Sequence, residues 1–95
     1  MQQNSQAYFY RTNGDIIPVT PTNKQSFTLK ELKLFVKGHI EIISLKDGRL
    51  MILDEEGKLK NRTINPLATS LAKDVLHQDD FIVGDVLVTP YTLVN

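Results

Sequence analysis

Three carboxylates stand in a row at Asp54-Glu55-Glu56, closed by Gly57-Lys58. Hard cations such as Mg²⁺ and Ca²⁺ bind through oxygen, so such a run is a candidate metal site. If Asp47-Gly48 is a two-residue hairpin loop, Asp54 also faces Glu41 across the ladder. The spacing matches no EF-hand loop, however, and Lys58 and Lys60 lie near enough to neutralise part of the run. The turn is therefore expected to be structural or ligand-contacting, with no tight metal site.

Asn65-Pro66-Leu67-Ala68-Thr69 is a helix start, with Asn65 as N-cap and Pro66 at the first helical position. The outward N–H groups of a helix start can hold an anion. No glycine-rich cradle accompanies them, so a cap and an exposed threonine are the simpler expectation. The two histidines, His39 and His77, are far apart in the chain. No serine lies in a nucleophile elbow, and there is no P-loop or dinucleotide-binding glycine pattern. The chain has no cysteine, which excludes a disulfide framework, a zinc–thiolate site and a thiol nucleophile. No catalytic residue and no cofactor are expected, and the protein is not read as an enzyme.

The elements that must position these groups are set by local signals. Thr28 and Glu31 have capping-box spacing, and Phe27 and Leu32 have that of a hydrophobic staple. Leu29, Leu32, Phe35 and Val36 then share one helical arc, and Gly38 is the expected left-handed stop. Lys30, Lys33 and Lys37 take the opposite face with Leu34 beside them. That face is either ordinary solvated surface or a partner contact centred on Leu34.

His39–Leu45 and Leu50–Leu53 read as a hairpin about Asp47-Gly48, pairing Leu45 with Leu50, Ile43 with Ile52 and Ile42 with Leu53. Ala7–Thr12 and Asp15–Thr20 read as another about Asn13-Gly14, pairing Tyr10 with Ile17 and Tyr8 with Val19. Pro18 makes the second of these strands an edge or interrupts it. Leu59–Ile64 is open between a short strand and an ordered loop. A second helix runs from Pro66 towards Leu76, and Phe81–Thr89 is the last strand, with a bulge at Gly84-Asp85.

The expected fold is α+β in the order β-β-α-β-β-α-β, with two helices packed on one face of a mostly antiparallel sheet. Met1–Gln6 is expected to be a disordered tail, Ala7–Pro90 the single domain and Tyr91–Asn95 a carboxy-terminal tail. The central hairpin is apolar on both faces, so a second face would need covering. Either the aromatic first hairpin or a second copy can supply that cover, with a lean towards a homodimer.

Hydrophobic residues are 41% and charged residues 23% of the 95, a globular composition. Lysine plus arginine equals aspartate plus glutamate, 11 against 11, so a nucleic-acid partner is not expected. No apolar run approaches the ~18 residues of a membrane span, and MQQNSQ lacks the character of a signal peptide. A cytoplasmic protein without membrane attachment is the expectation.

Several of these pieces recur together: Phe27-x-Leu29-x-Glu31-Leu32-x-x-x-Val36-x-Gly38-His39-Ile40-Glu41, then Asp54-Glu55-Glu56-Gly57-Lys58-Leu59, Asn65, and Ile82-Val83-Gly84-Asp85-Val86-Leu87-Val88. In this order they resemble an uncharacterised family of small proteins from bacteriophages, plasmids and conjugative elements. Lys37 stands where that family usually has the first of two glycines, His39 where it has tyrosine, and Asp54 where it has asparagine. The resemblance implies an accessory protein of a mobile element with no assigned activity, and carries no catalytic residue across. It marks Glu55, Glu56, Gly57 and Asn65 as positions to watch, with Gly57 read as a turn glycine at positive φ.

Two functions are weighed. The first is a non-enzymatic interaction module acting on an unknown protein partner, with Lys30, Lys33, Leu34 and Lys37 as its surface. The second is a small-ligand or nucleotide binder using Glu55, Glu56, Gly57, Asn65 and the start of the second helix.

Overall fold

The computed structural model describes residues 6–94. Strands β1 (Ala7–Tyr10) and β2 (Ile16–Val19) are followed by helix α1 (Leu29–Val36). Strands β3 (Ile40–Ser44) and β4 (Leu50–Asp54), helix α2 (Pro66–Leu71) and strand β5 (Val86–Thr89) complete the expected order. The strands form one five-stranded sheet in the order β2-β1-β5-β4-β3. Every pair of neighbours is antiparallel. The class is α+β, as expected. β5 is central, and all four of its residues are buried, as befits a strand paired on both edges and covered on both faces.

Both hairpins form where expected but in a register one residue away. Ile43 pairs with Met51 and Ile42 with Ile52. Phe9 pairs with Ile17 and Tyr10 with Ile16. The cause is the same in each. The loops are Lys46-Asp47-Gly48 and Thr12-Asn13-Gly14, closed by Leu45 N–H donating to Arg49 O at 2.8 Å and Arg11 N–H donating to Asp15 O at 2.9 Å. The glycines carry positive φ, +92° at Gly48 and +97° at Gly14. This is the three-residue loop that ends in a left-handed bulge residue. Asp47 and Asn13 brace it by accepting from the N–H two residues on, at 3.0 and 2.9 Å.

The helices lie on opposite faces of the sheet, which corrects the expectation of one shared face. Val86, Val88, Met51 and Leu53 point towards α2 and pack with Ala68, Ala72 and Ile82. Leu87 and Ile52 point the other way and pack with Leu32, Val36 and Phe27 of the α1 side. Alternation along β4 and β5 therefore feeds two cores, one on each face. The chain must cross from the β2 edge to the β3 edge, and α1 makes that crossing over one face. The link from β4 to β5 carries α2 over the other. Both faces of the sheet therefore carry a helix, while Ile16, Ile17 and Ile42 stay 48%, 40% and 46% exposed.

α1 begins at its predicted cap. Glu31 N–H donates to Thr28 Oγ1 at 3.1 Å, and Thr28 N–H donates to Glu31 Oε1 at 3.1 Å. Phe27 and Leu32 are both buried, as a staple requires. Leu29, expected on the buried arc, is instead 56% exposed. Thr28→Ala removes an acceptor and is expected to destabilise the fold by about 0.5–2 kcal/mol. Urea denaturation checks this, and an unchanged midpoint would place the helix start elsewhere.

The stop differs from the expected one. The left-handed residue is Lys37, at φ +62°, and its N–H donates to Lys33 O at 2.7 Å. Gly38 is needed for space instead. A Cβ there would lie 2.7 Å from Lys60 Nζ and 2.8 Å from Asp54 Oδ1.

The remaining differences are at element ends. Leu59–Ile64 is an ordered loop, and only Ile64 makes a bridge, to Val83. α2 stops at Leu71 and continues as turns through Val75, with Val75 and Leu76 N–H both donating to Ala72 O. The last strand is shorter than expected because the chain turns at Gly84, where φ is +81°. Tyr91–Asn95, expected to be a tail, is tied down over its described part. Tyr91–Leu93 form a 3₁₀ turn, and Phe27 N–H donates to Leu93 O at 2.7 Å. Of the expected amino-terminal tail, residues 1–5 lie outside the described residues; the Gln6 amide donates to Val19 O at 2.7 Å.

Candidate functional site

The acidic turn does not gather its carboxylates. Asp54 ends β4 opposite Ile40, not Glu41, because of the register shift. Its side chain is 1% exposed and is held by cations. Oδ2 accepts from Lys60 Nζ at 2.9 Å and from Arg62 Nε at 2.8 Å, and Oδ1 accepts from Glu56 N–H at 2.9 Å. Arg62 also donates from Nη2 to Lys37 O at 3.2 Å, which ties the turn to the end of α1. Burial pushes the Asp54 carboxyl up, but Lys60, the Glu56 N–H and Arg62 together outweigh it and hold the group below the usual 3.8. Arg62 carries no strong sequence signal: it stands eight residues beyond Asp54, and only the fold of the 55–62 turn brings the two together.

Glu55 and Glu56 are exposed on that turn. Glu55 is fixed by its backbone, whose N–H donates to His39 O at 2.8 Å. Gly57 is buried and does not have positive φ, contrary to expectation. It is glycine because a Cβ would lie 2.9 Å from Val83 Cγ2. Lys58 turns away from the acidic run, pairs with Asp80, and stands 4.6 Å from the centre of the Phe81 ring.

Asn65 is fully enclosed and all its polar side-chain atoms are engaged. Oδ1 accepts from Ala68 N–H at 3.1 Å, the expected cap. Nδ2 donates to Tyr10 O at 3.1 Å and to Gly84 O at 2.9 Å. One amide thus joins the start of α2, the end of β1 and the turn before β5. Thr69, expected to be exposed, is partly buried and bonds across the same junction, accepting from Ile82 N–H at 2.9 Å. The helix start therefore faces the interior, and Glu55, Glu56, Gly57 and Asn65 do not converge on a shared opening.

The outer face of α1 is different. Leu34 is 69% exposed, and with Leu29 it stands among Lys30, Lys33 and Lys37 in a shallow depression. None of the three lysines forms an ion pair among the described residues. The one carboxylate of the helix, Glu31, turns aside. Its pKa is held below the usual carboxylate value first by the Thr22 hydroxyl and then by the Thr28 and Thr22 backbone N–H groups. Next to this face a second depression of about 410 Å³ runs over Phe9 and Phe35, whose rings are 5.1 Å apart.

These features define a small α+β domain: a five-stranded antiparallel sheet between two helices, stapled by Asn65 and Asp54 and presenting a basic, leucine-bearing helix face. The chain belongs to the family described as a domain of unknown function, DUF3846, whose model matches residues 12–92. No curated protein and no solved structure matches the chain. No helix among the described residues is long and apolar enough to cross a membrane.

Proposed function

We propose that this protein is a non-enzymatic interaction module of a mobile genetic element, and that it engages a protein partner through the outer face of α1. The observation that carries this reading is the exposure of Leu29 and Leu34 on one helix face, 56% and 69%, among three lysines that form no ion pair among the described residues. A single exposed leucine is ordinary, and Leu59 is one such residue at 84%. Two on one short helix, beside a further apolar depression, form the kind of patch that marks contact surfaces. α1 is also well suited to present it, being capped at Thr28 and anchored through Phe27, Leu32 and Val36. The mobile-element setting rests on the order of motifs from Phe27 to Val88.

Photo-crosslinking in cells that carry the parent element tests the reading. A crosslinker placed at Leu34 is expected to give a discrete adduct, and one at Leu59 none. Equal labelling from both positions, or none from Leu34, would refute the α1 face as the contact.

A further inference from the structure

We infer that the partner segment received by the α1 face is acidic, with aliphatic anchors between its carboxylates. This deepens the proposal above and rests on it. Lys30, Lys33 and Lys37 span about 10 Å along the helix at 1.5 Å per residue. They form a single-sign stripe beside Leu29 and Leu34. Five cations elsewhere are matched within the fold, Lys60 and Arg62 by Asp54, Lys58 by Asp80, Arg11 by Asp85 and Arg49 by Asp47, while Lys24, Lys46 and Lys73 stand apart from one another in the chain. The carboxylates nearest the stripe are already engaged, Glu31 by Thr22 and Thr28, and Asp85 by Thr12 N–H and Arg11. The whole chain has no net charge, so three lysines on one short helix face are a local concentration of positive charge.

Lys37 adds a second observation. It occupies a left-handed conformation, φ +62°, that disfavours every side chain and suits glycine. The fold gains nothing visible from its ammonium, which makes no ion pair among the described residues. A lysine held there at the expense of backbone strain fits a group kept for a contact outside the chain. The chemistry also separates partner classes. Phosphate polymers would find three cations but no use for the leucines, whereas an amphipathic acidic segment matches both.

The test uses a labelled synthetic helix of glutamate and leucine, a second with glutamine for glutamate, and a third with alanine for leucine. Single-stranded DNA and phosphatidylserine vesicles complete the set. Binding is read by fluorescence anisotropy, and the contacted amides by NMR of the full chain. The glutamate–leucine helix is expected to bind, to shift α1 amides and to weaken with salt. Lys30→Glu with Lys33→Glu should weaken it roughly tenfold, while Lys73→Glu, beyond α2, should leave it unchanged. Lys37→Gly should weaken binding several-fold and yet raise Tm. A higher Tm with unaltered binding would overturn the role given to Lys37. If the glutamine helix binds equally well at α1, the acidic chemistry fails while the interaction module stands. If no peptide shifts α1 and Leu34 captures nothing in cells, both fail. Tighter binding of DNA or vesicles, or sedimentation showing that α1 pairs with a second copy, would also overturn the inference.

Discussion

Asn65→Ala is expected to lose about 3 kcal/mol of stability, more than an ordinary cap deletion. At a solvated helix start, replacing asparagine by alanine costs about 0.5–2 kcal/mol. Here the same side chain also supplies both Nδ2 hydrogens to carbonyls of Tyr10 and Gly84, in a site with no solvent exposure. Those carbonyls lose a partner that water cannot replace, which adds about 1 kcal/mol or more. For a domain of this size, the sum corresponds to a Tm roughly 15 °C lower. Asn65→Asp separates the two roles. It keeps the cap oxygen but sets a carboxylate against two carbonyl oxygens in an enclosed site. It should be no more stable than the alanine variant. If aspartate recovers most of the loss in chemical denaturation, Asn65 is a cap and nothing more.

Asp54→Ala is expected to lose about 3 kcal/mol, the lower end of the range for removing one partner of a buried ion pair. The lower end applies because Lys60 and Arg62 are 38% and 27% exposed at their side chains and can turn towards water. The change also strips the Glu56 N–H of its acceptor.

The same cluster sets an acid limit on the fold. The folded carboxyl titrates below 3.8, its usual value, so between the two values the unfolded chain holds a proton that the folded chain does not. Unfolding then takes up a proton, and acid favours it. The stabilisation is complete above about pH 4 and is lost as pH falls through the folded pKa. Asp47, Asp80 and Glu31 are depressed in the same direction and steepen the acid limb. Asp54→Asn resembles the protonated residue. Its stability should fall below that of the natural protein at neutral pH and converge with it in acid. Parallel curves from pH 7 to pH 2 would show that the pair contributes no linked stability.

The order of elements was legible in the sequence because its signals are local. Thr28 with Glu31, Asn65 with Pro66, and the two Asx-Gly turns each act within a few residues, and each forms where its spacing says. Register was not legible. A two-residue and a three-residue loop share the same Asx-Gly pair, and the difference is whether Thr12 and Lys46 belong to the loop. That is settled by which faces of β1 and β4 must enter the two cores.

The placement of the helices was not legible either. α1 and α2 each carry one apolar arc, and an arc fits either side of a sheet. The choice follows from β5 inserting between β1 and β4, which sends one helix over each face. The marked residues divide the same way. Asn65 reads as a cap from its neighbours alone, but its bonds to Tyr10 and Gly84 span 55 and 19 positions. Asp54 reads as one of three acids, yet burial beside Gly38, Lys60 and Arg62 makes it a structural anion. The lysine face of α1 was visible from its period of 3.6. Gly38 reads as the left-handed stop, yet Lys37 takes that turn; what calls for glycine at 38 is packing, because Asp54 and Lys60 fill the space a side chain there would need.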